Sequence, residues 1–126
     1  IEESDASSEI ERGIIYSAEL SETDTDVFTY SLIPGRYTEF MVTFDYYDLV
    51  GEDGDFGDLG IEVTFSVDGA DETELLIEDD GDGFFVGQII PETEGRITVT
   101  VKSSGKASFG ALTYIVAVES IPLKYV

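Results

Sequence analysis

Ile61, Val63, Phe65 and Val67 alternate strictly with Glu62, Thr64 and Ser66. A period of two places every second side chain on one face of an extended chain, so this stretch buries one face and wets the other only as a β-strand. The same period returns in Ile97, Val99 and Val101 against Thr98, Thr100 and Lys102, and in Phe40, Val42 and Phe44 against Met41, Thr43 and Asp45. Nowhere do apolar residues recur at i, i+3 and i+4 between helix caps. The expected class is all-β.

Turn signals space the remaining strands. Ile14 to Leu20 is rich in β-branched and aromatic residues, and Val27 to Ile33 runs into Pro34-Gly35. Thr38 to Tyr47, Thr73 to Ile77, Phe84 to Ile90 and Phe109 to Glu119 read as further strands, with Leu123 to Val126 strand-like at the end. Eight to nine strands at roughly 8–12-residue spacing predict an antiparallel β-sandwich, jelly-roll-like. The chain of 126 residues is long enough for one core and not two, so residues 13–126 are expected to form a single domain. Residues 1–12 are polar and acidic, as in a disordered tail, and ordering them calls for a metal or a neighbouring chain.

Charge narrows the function classes. Twenty-eight acidic residues against six basic ones leave a net charge of -22, with the six cations scattered. That excludes a nucleic-acid partner, which needs clustered Lys and Arg, and disfavours an anionic membrane surface. It favours cation uptake, adaptation to high salt or a basic partner. Cysteine and histidine are both absent, which removes disulfides, Ser-His and Cys-His nucleophile systems and most zinc sites. No run approaches the ~20 apolar residues of a membrane span, so no membrane insertion is expected. Ile1-Glu2-Glu3 lacks the basic start of a signal peptide, which suits a mature secreted form or a fragment. Lack of asparagine suits a thermophile, whereas the scarcity of lysine suits a halophile.

Three loops concentrate carboxylates: Asp24 and Asp26; Asp48, Glu52, Asp53, Asp55 and Asp58; Asp79, Asp80 and Asp82. Carboxylates two apart in a turn can converge on one hard cation, and calcium is the ion that oxygen-only groups favour. The plainer alternative is that all of them are solvated turn formers. An EF-hand is ruled out, because aligning Gly83 with its invariant glycine puts Ile89 where a bidentate glutamate is required. A carboxylate pair for glycoside hydrolysis is expected by chance among so many acids. Tyr46-Tyr47 is the one candidate aromatic platform for a sugar, with strand-end packing as its simpler reading.

The order of these features resembles the pre-peptidase C-terminal domain family, which includes the collagen-binding domains of bacterial collagenases. The resemblance rests on Glu2-Glu3-Ser4-Asp5, Asp24-Thr25-Asp26-Val27-Phe28-Thr29-Tyr30, Gly35, Asp58-Leu59-Gly60-Ile61-Glu62-Val63 and Thr113-Tyr114-Ile115-Val116-Ala117-Val118. It departs at Ser4, where the family tends to have asparagine, and in the length of the loop from Asp48 to Gly60. It implies an exported, non-catalytic sandwich in which Glu2, Asp5, Asp24 and Asp26 share a calcium ion. Asp53, Asp55, Asp58, Asp79, Asp80 and Asp82 are the secondary candidates. Together these readings lead to the expectation of a secreted or cell-surface protein that is not an enzyme. It would be a homo-oligomer or polymer assembling through its terminal strand into a filament, tube or sheath. The alternative is an accessory domain of a secreted protease or glycosidase that binds a polymeric extracellular ligand.

Overall fold

The computed structural model describes residues 7–21, 23–45, 56–69, 75–104 and 111–125. Nine strands are described: β1 (Ser7–Glu9), β2 (Ile15–Ser21), β3 (Thr25–Leu32), β4 (Arg36–Phe44), β5 (Ile61–Asp68), β6 (Leu76–Asp79), β7 (Phe84–Ile89), β8 (Gly95–Ser103) and β9 (Ala111–Pro122). They form a four-stranded sheet, β1-β3-β8-β5, and a five-stranded sheet, β2-β9-β4-β7-β6. Every pairing is antiparallel except β1 with β3. The chain changes sheet at each connection but the β6–β7 hairpin. This is the expected all-β sandwich.

Alternation positions the core. Phe28, Tyr30 and Leu32 of β3, Ile97, Val99 and Val101 of β8, Phe40, Val42 and Phe44 of β4, and Leu112, Tyr114, Val116 and Val118 of β9 all turn inward and are buried. Each fully buried large apolar side chain contributes on the order of 1.5–3 kcal/mol, and removal of these inner faces from water holds the two sheets together. At one end the core is aromatic. Phe44 stacks on Tyr114 with centroids 4.8 Å apart and tilts against Phe56 at 5.1 Å, while Phe85 meets Phe56 edge-on at 5.8 Å.

Both ends of the described chain are tied into strand pairs. Residues 7–10 are tied to the sandwich itself: Ser7 to Glu9 pair in parallel with Val27 to Thr29, the Ile10 amide donates to the Thr29 carbonyl, and Ile10 is 2% exposed. One buried isoleucine and a strand edge thus anchor this part of an otherwise polar segment. At the other terminus Leu123–Tyr125 is a 3-10 turn and no strand. Ile121 and Pro122 already pair with Tyr37 and Arg36, and β9 lies between β2 and β4. β2 covers β9 only from Ala111 to Ala117, so the last residues of β9, Glu119 to Pro122, are strand-paired on the β4 side alone among the described residues.

Smaller differences follow local chemistry. β4 stops at Phe44, and Tyr46-Tyr47 lies outside the described residues. The expected strand at 73–77 is β6, shifted to Leu76–Asp79 by its register with Phe85 to Gln88. Within the long acidic loop, Phe56–Leu59 forms a 3-10 turn whose Phe56 and Leu59 are both 4% exposed. That stretch closes the aromatic end of the core.

Candidate metal centre at the acidic end

Strand direction gathers the acidic connections. β1, β3, β5, β7 and β9 start at one end of the sandwich, where β2, β4, β6 and β8 finish. Two cross-links tie the strands at this end: the Ser103 amide donates to the Asp24 carbonyl at 3.0 Å, and the Ser104 amide to the Gly60 carbonyl at 3.0 Å. The β2–β3 turn with Asp24, the β4–β5 connection from Asp48 to Asp58 and the β6–β7 turn with Asp79, Asp80 and Asp82 therefore all join strands at this same end. Glu2 and Asp5 precede β1, which starts there too.

The individual carboxylates divide by local geometry. Asp24 is half-buried, and its Oδ1 accepts from the Thr25 amide at 3.1 Å. Asp26 is no turn residue. It occupies the second position of β3, on the inward face with Phe28 and Tyr30, and is 0% exposed. The Tyr114 hydroxyl donates to its Oδ2 at 2.5 Å, with the Tyr114 ring between Phe44 and Phe28. A buried carboxyl needs such a donor, because unpaired it would cost several kcal/mol of lost hydration.

The β6–β7 turn uses its acids locally. Asp79 Oδ1 accepts from the Gly81 amide at 2.9 Å, and Asp80 Oδ1 from the amides of Asp82 at 2.8 Å and Phe84 at 3.2 Å. Gly81 and Gly83 supply the positive φ angles of 78° and 90° that such a tight reversal demands. Gly83 is also pressed against Phe56, whose Cδ1 lies 3.2 Å from where a Cβ would stand. Asp58 lies in the 3-10 turn without a described side chain, and Glu2, Asp5, Asp48, Glu52, Asp53 and Asp55 lie outside the described residues. Among the described residues no three acidic side chains converge as a ligand group.

Sequence reasoning overlooked the Asp26–Tyr114 pair, although Tyr114 falls on the same parity as Leu112, Val116 and Val118. An inward tyrosine in a β-strand must find a partner for its hydroxyl, which was the available signal. It also overlooked a polar network on the outer face of the five-stranded sheet. There the Tyr37 hydroxyl donates to Glu39 Oε2 at 2.7 Å and Gln88 Nε2 reaches the same oxygen at 3.3 Å. Burial, then that hydrogen bond and the charges of Glu39 and Glu78, push the Tyr37 phenol up from 10.0 to about 12. No family model matches the chain, and no curated protein is found to be similar to it.

Proposed function

We propose that this chain is a non-catalytic, extracellular β-sandwich that binds calcium at its acidic end and joins copies of itself into a surface or extracellular assembly such as a filament, tube or sheath. The observation that carries the reading is the direction of the strands, which attaches all three carboxylate-rich connections and the acidic start of the chain to one end. A hard, oxygen-only donor set suits calcium in kind. Asp24 stands at the rim of that end, and Asp26 is the more deeply placed carboxyl, anchored through Tyr114. The described residues offer fewer than the 6–8 oxygens calcium takes, so Glu2, Asp5 and the segment from Asp48 to Asp58 are assigned the remainder. The resemblance to the pre-peptidase C-terminal domain agrees with this assignment of Glu2, Asp5, Asp24 and Asp26.

Bound calcium would offset the mutual repulsion of a chain carrying -22 charges, which otherwise opposes association of copies. Among the described residues the strand edges open to such contacts are β1, β5 and β2, together with the end of β9, Glu119 to Pro122, which β2 does not cover. Light scattering on the purified chain, with calcium and with excess chelator at equal ionic strength, tests the reading. Particle size is expected to rise with calcium and fall on chelation, and Asp24→Asn is expected to raise the calcium concentration required. A particle size indifferent to calcium would remove the proposal.

A further inference from the structure

β6 closes one side of the five-stranded sheet, and all four of its residues, Leu76–Asp79, are exposed. Leu76 is 65% and Ile77 54% exposed, high values for two adjacent apolar side chains in a strand. The cause lies in the opposite layer. Ile77 pairs with Gly87 and follows it onto the inner face, but the ring of Phe65, from the last strand of the four-stranded sheet, already sits over Gly87 and meets Phe40 edge-on. The inner layer thus ends at β5, and β6 projects beyond it. Soluble proteins usually blunt such an edge with lysine, proline or a bulge. Leu76-Ile77-Glu78-Asp79 carries none of these; it is guarded only by its shortness and by the acids Glu78 and Asp79, which repel other acidic edges and leave a basic strand admissible, and its register with β7 is continuous.

Cavities flank both halves of the strand. Beside Leu76 a groove of about 750 Å³ is lined by Tyr37, Ile90, Pro91, Glu92 and Leu123 among others, largely apolar. Along the other half a second, of about 460 Å³, is lined by Ile77, Glu78, Asp79, Asp80 and Phe84. Among the described residues neither has a lysine or arginine in its wall.

We propose that the β6 edge accepts an extended, lysine- or arginine-bearing segment of a different protein, which adds to the five-stranded sheet as a sixth strand. Backbone hydrogen bonds along Leu76–Asp79 supply affinity, as in other strand additions, and side chains of alternate parity supply selectivity. An apolar side chain on the inner face covers Ile77. On the outer face long basic side chains lay their stems over Leu76 and bring their cations to Glu78. A second β6 edge is the wrong occupant, because it brings another Glu78 and Asp79 onto the same four residues and no basic side chain to meet them. This inference does not depend on the calcium reading: Asp79 and Asp80 border both sites, but Glu78, on which the test turns, is not among the calcium candidates.

The test titrates the chain with a blocked eight-residue peptide of alternating lysine and valine, following backbone amide shifts and hydrogen exchange. Protection is expected at Leu76–Asp79. An equally charged peptide of alternating lysine and proline, which cannot form the ladder, is expected to bind about tenfold more weakly or less. Glu78→Lys, an exposed change expected to leave the melting temperature intact, should weaken the lysine-valine peptide by a similar factor. Equal binding of the two peptides, indifference to Glu78→Lys, or protection confined to other strands would each overturn the proposal. So would protection of Leu76–Asp79 that grows with protein concentration in the absence of peptide, since that would show a second copy on the edge.

Discussion

At the scale of single residues, Asp26 and Tyr114 couple the acidic end to the core. One hydroxyl, 88 residues away in sequence, donates to a fully buried carboxyl on the same face as Phe28 and Tyr30. Tyr114→Phe keeps the ring stack on Phe44 and deletes only that donor, so a loss of about 1–3 kcal/mol in denaturant unfolding is expected. A loss within error would show that the bond is dispensable. Tyr37 offers a second, pH-dependent handle. Its folded pKa of about 12 exceeds the ordinary 10.0, so the native state holds the phenol proton more tightly than the unfolded chain does. The stabilisation is therefore complete below pH 10 and disappears as pH rises toward 12. An NMR titration of the Tyr37 ring is expected to show the late midpoint, and Glu39→Gln to bring it down. An unmoved midpoint would mean that Glu39 plays no part.

Among the elements, the strands with clean alternation were readable in advance because burial on one face leaves a two-residue signature that needs no tertiary information. Ile61 to Val67, Ile97 to Val101 and Phe40 to Phe44 all fall where that signature puts them. What escaped were features decided across the sandwich. Phe56 and Leu59 sit in a glycine-and-acid loop whose composition reads as solvated, yet the gap beside Phe44 and Phe85 draws them inward. Gly87 interrupts an otherwise regular strand, and only the opposing sheet explains it. A Cβ there would stand 2.7 Å from Phe65 Cδ1. Gly87→Ala is therefore expected to cost about 1–3 kcal/mol through overpacking, measured as a shift in the urea midpoint. Adding Phe65→Leu should recover part of the loss, because the two sites share one space. Strictly additive losses would show that the ring does not fill the room the glycine leaves.

The whole molecule sets charge against topology. A surplus of acid is visible in composition, but whether acids on separate loops lie together depends on which way each strand runs, and alternation carries no information about direction. The pairings attach the connections β2–β3, β4–β5 and β6–β7 to one end, while Asp71, Glu72 and Glu74 of β5–β6 and Glu92 and Glu94 of β7–β8 belong to connections at the other, so the first end carries the larger share of the acids without holding them all. Two remedies differ in their dependence on concentration. Diffuse screening by any salt is gradual and follows ionic strength, with a Debye length near 8 Å at about 0.15 M. A bound calcium ion instead stabilises by mass action, roughly 2.7 kcal/mol at one hundred times its dissociation constant, and does so at constant ionic strength. Melting curves with calcium exchanged for sodium at fixed ionic strength are expected to show a rise that follows this logarithmic law. The rise should shrink in Asp24→Asn and in a chain lacking residues 1–6. A melting temperature that tracks ionic strength alone, with calcium and sodium interchangeable, would assign the acidic end to solvation and leave the ordering of the chain's start to the β1–β3 ladder and Ile10.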